Sequence, residues 1–328
     1  MPLVSASEKY AARRNLQKYA WLAIAAALMT IGLKTGAWLV TGSVGLLSDA
    51  AESVVNLVAA IAALIALRVA ATPADDGHQF GHTKAEYFSA AIEGTMIFVA
   101  ALVILWQSVL RLINPQPLEN VGIGLGISVL ASVINGAVAI LLLRAGKRYR
   151  SITLTADGKH LMTDVWTSIG VVVGVLLVAV TGIDRLDPIV AIAVAINILF
   201  AGYQLLNASS RGLMDGTMSD DDNAKIAGIV RGFRTEVVDF HALRTRMAGH
   251  RGFAEMHVLV PGEWSVQRGH DLVEDVEEAL LQEFPDLHIM AHLEPREDPR
   301  AYGDYESEIP IDTELVGEPR STDVLGSE

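Results

Sequence analysis

Two pairs of polar side chains interrupt long apolar stretches of the sequence at helical spacing. His160 and Asp164 are four residues apart, and so are Glu52 and Asn56. On a helix, residues at this spacing lie on one face, one turn apart. Ionisable side chains within a membrane span are costly unless they serve a pathway, a pair or a metal. Two such helices facing each other would offer one imidazole nitrogen and three side-chain oxygens to a single divalent ion.

Each pair also has an explanation that needs no metal. His160 and Asp164 could form an interfacial cap at the start of a span, with the aspartate snorkelling towards water. Asn56 could hydrogen-bond to a neighbouring helix, which is common for asparagine in bundles. Asp157 shares a face with His160, where it would either relay protons or cap the helix. The two pairs therefore predict either a metal site or interhelical hydrogen bonding.

A third group of ligand-type residues lies in the connection between the second and third apolar stretches. Asp75, His78 and His82 stand close together there and could close around a divalent ion, with water completing the coordination shell. The surrounding segment, residues 73–82, is rich in turn-forming proline, aspartate and glycine, so an ordinary turn is the alternative.

A fourth group lies in the hydrophilic C-terminal part of the chain, on separate predicted elements. Its members are His241, His257, His270, His292 and Glu294. The proposed groups together contain seven of the nine histidines and leave only His250 and His288. A random scatter would not produce this concentration, although ordinary strand-surface histidines are the alternative for the C-terminal group.

The composition predicts a membrane domain followed by a soluble one. Of the 328 residues, 51% are hydrophobic and 19% are charged, and the mean hydropathy of +0.37 is too high for an ordinary soluble protein. The apolar residues crowd before Leu206 and the charges after Met214. The absence of cysteine excludes disulfides and thiolate metal sites, so that metal ligands must come from His, Asp, Glu and Asn.

Six apolar stretches are long enough to cross a bilayer, which needs about 20 helical residues. They span residues 19–40, 45–70, 87–112, 121–143, 161–180 and 189–206. An even number of spans places both termini on one side. Eleven basic residues lie on that side, against only Arg111 and Arg185 on the other. The positive-inside rule therefore predicts cytoplasmic termini.

The chain after the last span reads as a small α+β domain with the order αββαβ. Its predicted elements are helices at 220–233 and 265–284 and strands at 237–247, 253–260 and 288–294. In the last two strands, apolar residues alternate with polar ones, so that one face is rich in histidine. The predicted domains are 1–212, 213–295 and an acidic tail, 296–328, whose ten acidic and three basic residues predict disorder.

These residues resemble the cation diffusion facilitators, and most closely the bacterial ferrous-iron and zinc efflux type. The resemblance covers the chain from about Leu16 to Glu294. Its most specific segments are PADDGHQFGHTKAE at 73–86, HLMTD at 160–164 and HALRTR at 241–246. The resemblance implies a six-helix transmembrane domain followed by a cytoplasmic, metallochaperone-like α+β domain.

The resemblance also implies roles for the candidate residues. It implies a transport site from spans two and five (Glu52, Asn56, His160, Asp164), a loop site (Asp75, His78, His82), a binuclear cytoplasmic site (His241, His257, His270, His292, Glu294) and an interlock at the dimer interface (Lys84, Asp215). Two features depart from the family pattern, the span-two pair and the last cytoplasmic ligand. The span-two pair is usually Asp or His followed by Asp, and Glu294 stands where Asp is more usual.

The expected function is export of a divalent transition metal from the cytoplasm in exchange for protons, across the cytoplasmic membrane. Metal and protons compete for the same ligand atoms, and imidazole titrates near physiological pH. Zn²⁺ is the first expectation, with Fe²⁺, Mn²⁺, Co²⁺, Ni²⁺ and Cd²⁺ open. The expected partners are a second copy of the chain, the bilayer, metal ions and protons, but no nucleic acid. The alternatives are a membrane-bound metal sensor without transport and, less favoured, a membrane metallo-hydrolase; the chain is expected not to be an enzyme.

Overall fold

The computed structural model describes residues 15–41, 44–114, 122–183, 185–303 and 308–311. The chain divides into two compact units, Met1–Met214 and Asp215–Glu328, which we call the helical unit and the α+β unit. The helical unit contains six long helices in its described part. They are α1 (Gln17–Thr41), α2 (Val44–Ala70), α3 (Ala85–Ile113), α4 (Gly122–Tyr149), α5 (Ile152–Thr181) and α6 (Leu186–Leu213).

The helical unit has its polarity inverted relative to a soluble protein. Among the described residues, four helices contain a stretch that is long and apolar enough to cross a membrane, namely 17–36, 85–113, 129–149 and 188–213, and α2 adds a shorter apolar segment, Asn56–Ala70. Large apolar side chains such as Met29, Trp106 and Phe200 are exposed, whereas Asn56 and Glu93 are buried. Lipid solvates apolar surface, and polar groups must then find partners inside the bundle.

Helix α5 joins the two apolar clusters of the helical unit. The first cluster combines α1, α2, α4 and α5 and includes Leu64, Leu142 and Leu161. The second combines α3, α5 and α6 and includes Ile97 and Ile198. Many other members are alanines, which let helix backbones approach closely. A buried side chain on α5 therefore faces either α2 and α4 or α3 and α6.

Helix α5 begins at Ile152, nine residues before the predicted start at 161. Ser151 caps it, because its Oγ accepts a hydrogen bond from the backbone N–H of Leu154 at 3.4 Å. The polar residues that follow are held against α4 by close backbone packing, since a Cβ on Gly158 would lie 2.9 Å from Cγ of Leu143. His160 and Asp164 therefore lie inside the helix and not at its mouth, and Asp157 does not cap it.

The α+β unit confirms the predicted order αββαβ. Its elements are α7 (Asp220–Arg231), β1 (Asp239–Ala248), β2 (Arg251–Val260), α8 (Val266–Glu283) and β3 (Leu287–Pro295). Both helices begin after a serine cap, Ser219 and Ser265. The strands form one sheet in which β2 is central, antiparallel to β1 and parallel to β3.

The two faces of this sheet differ in chemistry. On β3, Leu293 faces α8, since a Cβ on Gly269 of that helix would lie 2.9 Å from Leu293 Cδ2. Alternation along the strand then turns His292 and Glu294 to the opposite face. The register pairs His257 with His241 on one side and with His292 on the other, so that three histidines form a row across the three strands.

The chain after β3 packs on the α+β unit farther than we expected. A short 3₁₀ turn covers Pro299–Tyr302. The backbone N–H of Ile309 donates to Leu243 O at 2.7 Å, and Ile311 joins the apolar core. The start of the predicted acidic tail is therefore ordered, because two isoleucines anchor it; residues 304–307 and 312–328 lie outside the described residues.

Candidate metal centres

The first candidate centre, which we call the helix site, consists of Asn56 on α2 with His160 and Asp164 on α5. All three side chains are buried. The amide of Asn56 joins the other two, because its Nδ2 donates to Asp164 Oδ2 and its Oδ1 accepts from His160 Nε2 at 2.8 Å. The second ring nitrogen of His160, Nδ1, is buried without a hydrogen-bond partner among the described residues. This atom is free to take a ligand.

The early start of α5 explains why Asn56 and Asp164 lie at similar distances along their two helices. Asn56 lies 14 residues before the end of α2, and Asp164 lies 12 residues after the start of α5. At 1.5 Å per residue, these positions are about 21 Å and about 18 Å along the two helices. Had α5 begun at residue 161, Asp164 would have stood one turn from its end, too far from Asn56.

Asn135 on α4 is part of the same cluster, which the sequence did not indicate. Its Nδ2 donates to Asp164 Oδ2 at 3.0 Å, while its Oδ1 is buried without a partner in the part of the chain described. An asparagine in an apolar span signals an interhelical contact, but the sequence does not identify the helix that it contacts. The side chain of Glu52, one turn before Asn56, lies outside the described residues.

The second candidate centre, the loop site, combines Asp75, His78 and His82 between α2 and α3. Asp75 Oδ1 lies 3.3 Å from His78 Nδ1, and Asp75 Oδ2 lies 3.4 Å from His82 Nε2. One ligand atom from each residue falls within 4.8 Å of the others, close enough for a single ion to bind all three. The carboxylate also shapes the turn, because Oδ1 accepts from the backbone N–H groups of Gly77 at 3.0 Å and His78 at 2.7 Å.

The electrostatics of the loop site favour a positively charged ligand. The hydrogen bond from the backbone N–H of His78 lowers the pKa of Asp75 below its ordinary value, and its hydrogen bond and charge interactions with His78 and His82 act in the same direction. The carboxylate is therefore ionised throughout the neutral range. The turn explanation and the metal explanation are not exclusive, since the same carboxylate serves both.

The third candidate centre, the sheet site, lies on the histidine face of the α+β unit. Glu294 Oε2 is 3.1 Å from His241 Nε2 and 3.0 Å from His257 Nδ1, and these three residues also offer ligand atoms within 4.8 Å of one another. His292 stands at the edge, with its Nε2 3.8 Å from Glu294 Oε1. Five candidates were expected here, and the sheet register brings four of them together.

His270 is the fifth, and it lies apart from the sheet site. Its Nε2 is 3.7 Å from Glu274 Oε1 on its own helix. The physical reason is the layering of the unit, because α8 packs on the face of the sheet opposite to Glu294.

The predicted interlock residues belong to different units. Lys84 directly precedes α3, and Asp215 is 3.1 Å from Arg246 within the α+β unit.

Comparison with known proteins identifies the family. Residues 20–214 match the family described as "Cation efflux transmembrane domain", and residues 218–296 match "Cation efflux protein, cytoplasmic domain". The chain belongs to the cation diffusion facilitator family. An uncharacterized transporter from Synechocystis sp. is 51% identical over 88% of this chain and 93% of its own length. The cation-efflux pump FieF of Salmonella arizonae is 30% identical over 86% of this chain and 93% of its own.

Membership decides between the functions that the sequence left open. A solved structure of CzrB in its Zn form aligns with 24% of this chain and 90% of its own, at 34% identity and a TM-score of 0.23. Members of the cation diffusion facilitator family are transporters and not enzymes, so the metallo-hydrolase alternative is wrong. This member is a cation efflux transporter with a helical membrane domain and a small cytoplasmic domain.

Proposed function

We propose that this cation efflux transporter exports a divalent transition-metal ion from the cytoplasm in exchange for protons. The observation that carries the proposal is the helix site. A histidine, an aspartate and an asparagine converge half-way along two membrane helices, and one imidazole nitrogen has no hydrogen-bond partner in the described part of the chain. Polar groups are placed at such a depth at high cost, and a transported ion is the ligand that would use them.

Proton exchange follows from the chemistry of the proposed ligands. A metal ion needs a neutral His160 and an ionised Asp164, so that protons and metal compete for the same atoms. Protons that enter from outside would displace the ion, and reloading with metal from the cytoplasm would release them inward. Glu52 would supply a second carboxylate one turn from Asn56. Helices α2 and α5 would then alternate between inward-open and outward-open arrangements.

Zn²⁺ is the cargo that we propose first. Imidazole and carboxylate donors suit zinc, and the chain has no cysteine to favour a softer ion. Fe²⁺, Mn²⁺, Co²⁺, Ni²⁺ and Cd²⁺ accept the same donors in other geometries, and the amide of Asn56 is the feature that would set the preference among them. We propose that the loop site and the sheet site bind the same ion on the cytoplasmic side, and that the sheet site regulates transport.

We propose a homodimer in the cytoplasmic membrane with both termini inside. Pairing of cytoplasmic domains and the Lys84–Asp215 interlock would hold the two copies together. Because the chain has no cysteine, single cysteines test the orientation without background. Gly77→Cys should react with an impermeant reagent only after permeabilisation, and Ile183→Cys should react from outside. Labelling of residue 77 in intact cells would contradict the orientation.

The transport proposal is tested by reconstituting the full-length protein into liposomes with an imposed pH gradient and a panel of divalent metals. Asp164→Asn should abolish transport while zinc binding at the sheet site persists. Removing one partner of a buried charge interaction costs about 3 kcal/mol or more, which is a loss of about 100-fold or more. Wild-type rates in this variant would show that Asp164 is not a ligand. Metal flux that is indifferent to the pH gradient would exclude proton exchange.

A further inference from the structure

A second pair of buried ionisable side chains lies in the helical unit. Glu93 on α3 and Asp157 on α5 are 0% and 1% exposed, and their carboxyl groups interact electrostatically where the two helices pack. Only one of the four oxygens is hydrogen-bonded in the described part of the chain, because Ser89 Oγ donates to Glu93 Oε1 at 3.1 Å. Glu93 Oε2 and both oxygens of Asp157 are buried without a hydrogen-bond partner among the described residues.

Such an arrangement is costly if both groups are ionised. A buried carboxylate without hydrogen bonds loses its solvation and gains nothing in return. Two ionised carboxylates that interact in such a setting also repel each other, and this repulsion favours the uptake of a proton by one of them. The pair therefore needs a bound cation or a proton to exist in a membrane interior.

No basic side chain among the described residues neutralises the pair. The basic residues of α2, α4 and α6 are exposed, namely Arg68, Arg144, Lys147, Arg148 and Arg211. Lys34 on α1 is buried but is engaged in an interaction of its own, and neither carboxylate forms an ion pair with a described residue. On the helices of the pair itself, Lys159 is half-buried, and His160 and Asp164 bond to Asn56.

Glu86, the other buried acid of α3, shows how a buried carboxylate is stabilised by hydrogen bonds. Its Oε2 accepts from Ser151 Oγ at 2.5 Å and from the backbone N–H of Thr153 at 3.4 Å. Glu86 is thus tied to the start of α5 by hydrogen bonds, as expected for a structural carboxylate. Among the described residues, Glu93 accepts one hydrogen bond, from a serine on its own helix, and Asp157 accepts none, although both are as buried as Glu86. The difference between the two sites is one of hydrogen bonding and not of depth.

We propose that Glu93 and Asp157 together bind one proton and form a proton site distinct from the helix site. This inference rests on the proposed proton exchange and names a residue pair that takes part in it. Asp157 lies one turn before His160 on α5, so that a movement of α5 that opens the helix site also changes the surroundings of the pair. The proton leaves when that movement lets water reach the carboxyl groups, and it returns when the pair is enclosed again.

The decisive variant is the double substitution Glu93→Gln/Asp157→Asn, which mimics a pair that is permanently neutral. In proteoliposomes that carry a pH-sensitive and a zinc-sensitive dye, it should move one proton fewer per zinc ion than the wild type does. Its transport rate should also depend less steeply on pH. The change in rate per pH unit should be tenfold smaller than in the wild type. Glu86→Gln is the matched control, since it removes an equally buried carboxylate from the same helix and should leave the ratio unchanged.

Infrared difference spectra test the pair without relying on transport. The metal-free wild-type protein in detergent at neutral pH should show the carbonyl band of a buried protonated carboxylic acid. The band should persist in Glu86→Gln and disappear in the double variant, with Glu93→Gln and Asp157→Asn as single comparisons if the double variant does not fold. Absence of this band in the wild type would overturn the inference.

The two proposals fail in different ways. If the wild type moves zinc without any counter-movement of protons, the proposed exchange is wrong. The infrared band then still shows whether the pair binds a proton. If the wild type exchanges protons but the double variant keeps its ratio and pH profile, the pair is not a proton site, and the proposed exchange stands. Zinc bound at Glu93 and Asp157 in place of the proton would also overturn the inference.

Discussion

The substitution Asn56→Asp tests the helix site most sharply, because it changes one atom type at the centre of the cluster. In the wild type, the amide of Asn56 donates to Asp164 Oδ2 and accepts from His160 Nε2. The variant replaces the donor by a second carboxylate oxygen. It also restores the pattern that the family usually shows in span two, where an acid takes this position.

The size of the effect follows from the proximity of the two acids. Two unit charges about 4 Å apart repel by about 4 kcal/mol at an effective dielectric constant of about 20. That energy corresponds to about three powers of ten in proton affinity. Without metal, residues 56 and 164 would therefore share one proton, and a metal ion must displace it to bind. Metal affinity should rise at alkaline pH and fall by one additional factor of ten for each pH unit of acidification.

The assay is a metal-panel flux measurement from about pH 6 to about pH 8, the range in which imidazole titrates. Asn56→Asp should show a steeper pH profile and a changed order of preference among Zn²⁺, Mn²⁺, Co²⁺ and Cd²⁺. Asn56→Ala is the comparison, because it removes the amide without adding charge and should weaken transport at every pH. If both variants keep the wild-type selectivity and pH slope, Asn56 serves helix packing alone and is not a ligand.

Three further predictions concern other parts of the molecule. At the sheet site, His257→Ala should weaken zinc binding by about tenfold or more, about 1.4 kcal/mol, in a calorimetric titration, while His288→Ala should not; equal losses would contradict the assignment. At the loop site, the lowered pKa of Asp75 keeps its contribution constant above the ordinary carboxyl range and removes it only in acid, as pH falls through the lowered value. Asp75→Asn should therefore reduce metal affinity without altering its pH dependence near neutrality, and a changed slope would refute this. Gly158→Ala should lower the melting temperature through a loss of about 1–3 kcal/mol, since its Cβ would meet Leu143; an unchanged melting curve would show that α4 and α5 can separate there.

The sequence indicated the sheet site because a strand has a simple period. Alternation along β2 and β3 placed His257, His292 and Glu294 on one face before any register was known. The register of the sheet places His241 opposite His257. No local sequence pattern could predict this pairing. The same alternation does not extend to a helix, and so the sequence could not show that His270 lies on the far side of the sheet.

At the helix site too, some features follow from the local sequence and others only from tertiary packing. The spacing of His160 and Asp164 follows from the helical period and was visible in the sequence. Hydropathy predicts that α5 begins at residue 161, because polar residues such as Thr153 and Asp157 are expected to be exposed to solvent. Only packing against α3 and α4 shows that these residues are enclosed, which moves the helix start to Ile152 and brings Asp164 level with Asn56.

By itself, the sequence determined the membrane domain, the αββαβ domain after it and the residue types able to bind metal, because each depends on composition or on a period of a few residues. The tertiary structure decided which of those residues meet. It joined Asn135 to Asp164, separated His270 from the sheet site and enclosed Glu93 with Asp157. Such contacts join residues that are far apart in the chain, and only the packing of whole helices and strands determines them.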